Sequence, residues 1–336
     1  MAAIALVCSL RAVVGAQGRI DVVTLLNGDH ITGEVVRLDR GRLEFKTDDV
    51  GTLYLEWDKL SSVVAARLVE VTTTDGRTFL GRLTPTARQS IAVTDATQTA
   101  TLPMTDVTEI TTIGRSFWKK LDGSIDAGFN YTKSSGVAQL NLNTDTFYRE
   151  PRSEARLTTS FTQTDRENDE GGDDRAAVEM SYLRYPWLQW FVTTVGRFEN
   201  NESLGILLRS QIAIASGPRL VNSNRAQLAI GSGIALNDEQ GVDVERTQNL
   251  EGLVLLKGSF YTYDRPKTNI DISASYYPSL TDRGRHRLQL DLGAKREFWK
   301  DLFLSLNAFD TLDSRPPNPD ADKNDVGVVI SIGWTY

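Results

Sequence analysis

The chain has 336 residues, 40% of them hydrophobic and 24% charged, with a formal net charge of −7. No stretch approaches the ~20 consecutive apolar residues of a membrane helix, which excludes a helical membrane protein but not a membrane β-barrel, whose apolar and polar residues alternate. The acidic balance argues against nucleic acid as a partner, and the length anticipates two or three structural units.

Residues 1–18 read MAAIALVCSLRAVVGAQG. An apolar run over 2–10, followed by Val14, Gly15 and Ala16, resembles a secretory signal peptide cut after Ala16. No positive charge precedes the run and Arg11 interrupts it, so a plain terminal tail is the alternative. Cys8, the single cysteine, would leave with residues 1–16. The remainder would then hold no thiol, disulfide or cysteine metal site.

Two segments that follow are alike. VVTLLNGDHITGEVVRL (22–38) parallels VEVTTTDGRTFLGRLTP (69–85), with Gly28 matching Gly76 and Gly33 matching Gly81. Asn27-Gly28 and Asp75-Gly76 are hairpin turn signals, because both central positions need positive φ. GTLYLEWDKLSSV (51–63) then parallels TATLPMTDVTEI (99–110). The duplication predicts two small SH3-like or Sm-like β units, 17–66 and 67–113. Tyr54 and Trp57 are either a binding platform or, on burial grounds, core. His30 has no second ligand at metal spacing.

From 114 to 336 the pattern changes to long alternating segments. In LDGSIDAGFNYT (121–132), Leu121, Gly123, Ile125, Ala127, Phe129 and Tyr131 take one face. Asp122, Ser124, Asp126 and Asn130 take the other, as a strand of period two requires. The same split recurs along the domain. Ala155, Leu157 and Phe161 oppose Glu154 and Arg156, and Val178 and Met180 oppose Arg175 and Glu179. Ile212 and Ile214 oppose Arg209 and Gln211, and Leu228 and Ile230 oppose Arg225 and Gln227. Ile270 and Ile272 oppose Asp271, and Leu290 and Leu292 oppose Asp291 and Lys295. The apolar faces of these segments carry no charge. That is what a lipid-facing row needs, since a midplane Arg or Lys costs ~2–4 kcal/mol. Sandwich strands are usually ~5–6 residues, and these run to about ten or more. Two segments, 189–198 and 250–263, do not alternate cleanly and leave their facing open.

Long polar connections at 164–174, 237–245, 278–287 and 310–325 alternate with tighter ones near Arg149, Tyr185, Gly217, Asp264 and Phe298. This predicts an all-β fold: an antiparallel transmembrane β-barrel of about twelve strands, its short turns periplasmic, preceded by the two small β units on the periplasmic side. Trp118, Trp187, Trp190, Trp299 and Trp334 all fall near the short-turn end, where indoles mark a membrane interface. The terminal segment VGVVISIGWTY would be the closing strand, pairing with the first to remove the sheet edges. Ile332, Trp334 and Tyr336 form its alternating aromatic-ended signal for the outer-membrane assembly machinery.

With LLNGDHITGEVVRL and GTLYLEWDKLSSV ahead of a barrel ending GVVISIGWTY, the chain resembles domain-of-unknown-function family 481 (DUF481). Its members are often labelled salt-induced outer-membrane proteins. The resemblance covers residues 117–336, with the N-terminal region as a companion. It implies an outer-membrane barrel in contact with lipid and lipopolysaccharide, and no established activity.

The candidate lumen comprises Asp122, Asp126, Glu154, Arg156, Arg175, Glu179, Arg209, Arg225, Asp271, Asp291 and Lys295. Its mixed signs leave a narrow pore, a plugged barrel and a scaffold open. No catalytic set, metal site or cofactor is expected. His286 has no triad partner placed by sequence, and beside Arg285 and Arg287 it would meet lipopolysaccharide phosphates or nothing. The acidic run Asp165, Glu167, Asp169, Glu170, Asp173, Asp174 offers oxygen ligands to a divalent cation, but its spacing does not follow an EF-hand and a solvated loop is the favoured reading. A barrel enzyme acting on lipid or peptide, and a soluble secreted glycan-binding β protein, are the alternatives. No periplasmic partner is specified.

Overall fold

A computed structural model describes residues 21–96, 98–113, 121–132, 137–150, 152–166, 174–187, 189–201, 206–241, 245–300, 302–316 and 323–334. These residues are all-β, and their strands form two sheets. The N-terminal sheet holds β1 (Asp21–Leu25), β2 (His30–Asp39), β3 (Arg42–Lys46), β4 (Thr52–Glu56), β5 (Leu60–Thr73), β6 (Thr78–Ala87), β7 (Ser90–Thr94), β8 (Thr99–Pro103) and β9 (Val107–Thr112). Single 3-10 turns, Trp57–Lys59 and Met104–Asp106, precede β5 and β9.

The duplication is visible strand for strand. Gly28 and Gly76 sit in matching turns with φ of 93° and 83°, the left-handed region glycine enters without penalty. A Cβ on Gly33 would lie 2.6 Å from the Lys46 carbonyl, and one on Gly81 would lie 2.6 Å from the Thr94 carbonyl. In both copies, then, glycine lets the second strand pass close over the third. The copies are nevertheless interlocked. The expected boundary after residue 66 falls inside β5, whose first half pairs with β1 and whose second half pairs with β9. Ala65 of the first copy pairs with Leu83 of the second, and Ile110 of the second pairs with Leu38 of the first. One core takes Leu38, Phe45 and Trp57 from one copy and Leu83, Ile91 and Ile110 from the other. The physical reason is size: fewer than ~50 residues enclose little apolar volume alone, and two copies sharing a core enclose far more. Trp57 belongs to that core, its indole N–H donating to the Met104 carbonyl at 2.6 Å, while Tyr54 is exposed.

The second sheet is an antiparallel meander of twelve strands: β10 (Leu121–Thr132), β11 (Val137–Glu150), β12 (Ser153–Arg166), β13 (Arg175–Trp187), β14 (Trp190–Asn201), β15 (Ile206–Asn222), β16 (Ala226–Gly241), β17 (Thr247–Thr262), β18 (Thr268–Pro278), β19 (His286–Trp299), β20 (Leu302–Asp313) and β21 (Asn324–Trp334). The strands have 11 to 17 residues, and several run on into segments the sequence presents as loops. Residues lining one internal cavity come from strands as far apart as β12 and β19, so the sheet is curled. Among the described residues no ladder joins β10 to β21, so the expected closure is not made there. Residues 114–120, 133–136 and 335–336 lie outside the described set.

Alternation sorts the side chains as the period-two pattern requires. Val178, Met180, Ile212, Ile214, Ile234, Leu236, Val254, Ile272, Leu304 and Ile330 stand exposed on the outer face. Taken by register, that face carries described charges only at Glu150, Asp165, Arg184, Asp238, Arg296 and Asp310, each within four residues of a strand end. The two ambiguous segments resolve in the same way. Phe191, Val195, Leu253 and Leu255 line the inside, while Trp190, Phe198 and Val254 are exposed outside.

Candidate functional site

The inner face of the curled sheet is layered. At the long-loop end lies a buried ionic layer. Glu239, 1% exposed, accepts from Arg209 at 2.9 Å and from Arg285 at 2.9 Å. Arg285 also donates to Asp313 at 2.7 Å. Arg287 grips Glu251, which is fully buried, through two bonds of 3.0 and 2.5 Å and lies over the Tyr277 ring at 4.9 Å. Charge-assisted bidentate pairs of this kind are the strong hydrogen bonds, and they offset the cost of desolvating the ions.

Beneath the ionic layer Ala213, Ala215, Ala235, Leu253 and Tyr277 form a small apolar cluster. A cavity of about 500 Å³ follows, lined among others by Glu154, Arg156, Glu179, Arg197, Gln211 and Asp291. Arg197 bridges Glu179 and Glu199, each at 3.2 Å.

At the short-turn end the N-terminal sheet is docked. Arg40 donates to Asp271 at 2.9 Å and to Asn269 at 3.0 Å, and lies over the Tyr261 ring at 4.7 Å. The Tyr263 hydroxyl donates to the Arg40 carbonyl at 2.9 Å. Lys59 donates to Asp264 at 2.7 Å, a bond that holds the Asp264 carboxyl below its ordinary value. Asn224 donates to the Val107 carbonyl at 2.8 Å and Asn222 to Thr108 at 3.2 Å. Between the two sheets lie cavities of about 710 and 350 Å³. The larger shares Glu154, Leu183, Tyr185, Arg219 and Gln227 with the cavity inside the barrel-like sheet. Burial raises the Glu109 carboxyl at this junction to about 7, aided by Asp39 and Glu70 and opposed by Arg219 and Arg149.

The sequence-predicted lumen is partly gathered here. Glu154, Arg156, Glu179 and Asp291 line the inner cavity, and Arg209 joins the ionic layer. Asp271 is inside but engaged by Arg40, and Lys295 lies over the Phe303 ring at 4.6 Å. Arg175 and Asp126 are exposed, and the Asp122 side chain is outside the described set. Arg225 is a correction: it occupies the β15–β16 turn, is exposed, and faces Asp58 of the N-terminal sheet at 3.7 Å. Arg285 and Arg287, which flank His286, point inward onto buried acids, while His286 itself is exposed at the start of β19.

Trp187, Trp190, Trp299 and Trp334 are exposed at the short-turn end, while Trp118 and Tyr336 fall outside the described residues. So do Glu167, Asp169, Glu170 and Asp173 of the acidic run. Ile332 is exposed on β21. No cluster of three metal-ligating side chains occurs among the described residues. Sequence reasoning missed Glu239, Glu251, Arg197 and Arg219. The parity count would have found the first two, since Glu239 is in phase with Ala235 and Glu251 with Leu253.

Long antiparallel strands in sequence order, apolar outside and ion-paired inside, define a β-barrel-type sheet carrying a duplicated β unit at one end. The chain belongs to the family of proteins of unknown function designated DUF481, whose family model matches residues 124–336. Among solved structures it is similar to the NanC porin in a rhombohedral crystal form, at 9% identity and a TM-score of 0.37, over 63% of this chain and 100% of that chain. No curated protein matches it.

Proposed function

We propose that this protein is an outer-membrane β-barrel whose lumen is blocked at the long-loop end, with the N-terminal β unit on the periplasmic side, and that it performs no catalysis. The observation that carries this reading is the outer face: rows of exposed leucine, isoleucine and valine along strands of 11 to 17 residues, with charges confined to strand ends. In water such rows would form an apolar patch far beyond the few hundred Å² that soluble monomers show. In a bilayer they are the lipid contact, and the exposed tryptophans at the short-turn end lie at headgroup level. On insertion β10 and β21 pair to close the seam, since unpaired strand edges do not persist in hydrocarbon.

The test is envelope fractionation with detergent extraction, followed by gel migration with and without boiling. The expected result is outer-membrane recovery and a boiling-dependent shift in mobility. Recovery in the aqueous fraction without detergent would overturn the reading.

A further inference from the structure

Arg219 stands apart from its neighbours at the junction of the two sheets. Arg40 is paired with Asp271 at 2.9 Å, Arg149 with Glu154 at 2.5 Å, and Arg152 faces Glu70 at 3.9 Å. Arg219 has no acid within ion-pairing distance among the described residues, and its Nε is buried without a hydrogen-bond partner. It lines all three cavities, so its guanidinium stands where the inner cavity meets both junction cavities.

Its position is fixed from two sides. The register shift after Arg219 ends the regular β15 ladder, and its backbone N–H donates to the Gln189 carbonyl at 2.5 Å. The guanidinium lies over the Tyr185 ring at 4.1 Å. The turns framing the cavity hold Arg152 and Gln189 at φ of 61° and 58°, a region non-glycine residues enter rarely. A guanidinium N–H buried without an acceptor is costly unless a partner completes it. A guanidinium already held against an aromatic ring loses little freedom when it grips a planar acid group.

We propose that the junction cavity is a binding site for a small soluble acid, its carboxylate or phosphate received by Arg219, with Tyr185 as floor and Arg152 at the rim. Cavities of about 350 and 710 Å³ lie within the size range of small-molecule sites. Glu109, in the same two cavities, opposes the ligand when ionised. This site does not depend on the membrane reading, since it is built from the junction alone.

The experiment is calorimetric titration of the full chain in detergent at pH 8 with inorganic phosphate and with acetate. The chain should show saturable binding to at least one of them. Arg219→Gln should weaken it at least tenfold and Arg219→Lys should retain part of it. Glu109→Gln should strengthen it several-fold. Arg246→Gln, which touches only the exposed Asp238 pair at the far end, should leave it unchanged. Circular dichroism checks that each variant is folded. No saturable binding, or equal binding by Arg219→Gln, overturns the proposal. So does saturable binding of a short-chain phosphatidylglycerol where neither free anion binds, because the acid group would then belong to a lipid.

Discussion

At the scale of single residues, Glu109 couples the docking of the two sheets to pH. It sits on β9, partly buried against the turns of the larger sheet, and the facing charges are Asp39, Glu70, Arg149 and Arg219. Burial is the largest influence and raises its carboxyl from 4.5 to about 7. The folded state therefore holds this proton more tightly than the unfolded chain does. Between pH 4.5 and about 7 stability falls as pH rises, and above that window the full penalty is present. A shift of that size bounds the effect at roughly 3 kcal/mol, less whatever solvent reaches the group. Thermal unfolding followed at pH 5.5 and pH 8 should show a less stable protein at the higher pH. Glu109→Gln should remove most of that difference by raising stability at pH 8. An unchanged pH slope in the variant would exclude Glu109 as its source.

At the scale of elements, docking depends on the β2–β3 hairpin. Gly41, at its tip, has φ of 70°, and a Cβ there would run into the Asn224 carbonyl of the β15–β16 turn. Gly51 also has positive φ, at 76°, but nothing lies within 4 Å of its Cβ position. Both Gly41→Val and Gly51→Val place a branched side chain in the left-handed region, at about 1–2 kcal/mol. Only Gly41→Val should separate the sheets. Hydrogen exchange should then speed up at residues 107–112 and 222–226 while the N-terminal core stays protected, and Gly51→Val should leave both segments slow. These elements were legible to different degrees. The duplicated hairpins and the twelve strands were readable because glycine turns and apolar alternation are local signals. The strand ends were not: Asn237, Glu239, Arg285 and Arg287 are polar, and an inward polar row looks like a loop when only composition is weighed. Nor could the sequence show that two similar β units exchange strands through β5, because that pairing depends on which copy completes which core. The docked face was equally hidden, since its residues come from separate turns of the larger sheet and separate strands and turns of the N-terminal one.

At the scale of the whole molecule, the ionic layer decides whether the lumen is a path. Eight-stranded barrels are filled by side chains and those of sixteen or more hold water channels, so strand number alone leaves twelve undecided. Here the inner cavity of about 500 Å³ ends under Tyr277 and the paired Arg287 and Glu251, with Arg285 joining Glu239 to Asp313 beside them. Ions entering from the long-loop side would have to part these pairs. Arg287→Ala strands the Glu251 carboxylate in the interior, and losing one partner of a buried pair costs about 3–5 kcal/mol. Glu251→Ala combined with Arg287→Ala strands no charge, so its loss of stability should be well below the sum of the two single losses, as coupled partners require. It also removes the bulk that closes the passage. Denaturant unfolding reads the first effect and planar-bilayer recording the second. The unaltered protein should give no steady ohmic current, and the double variant should give one. A steady current from the unaltered protein would mean that ions bypass the layer, and the Glu251–Arg287 pair would then be a stabilising contact with no part in closing the lumen.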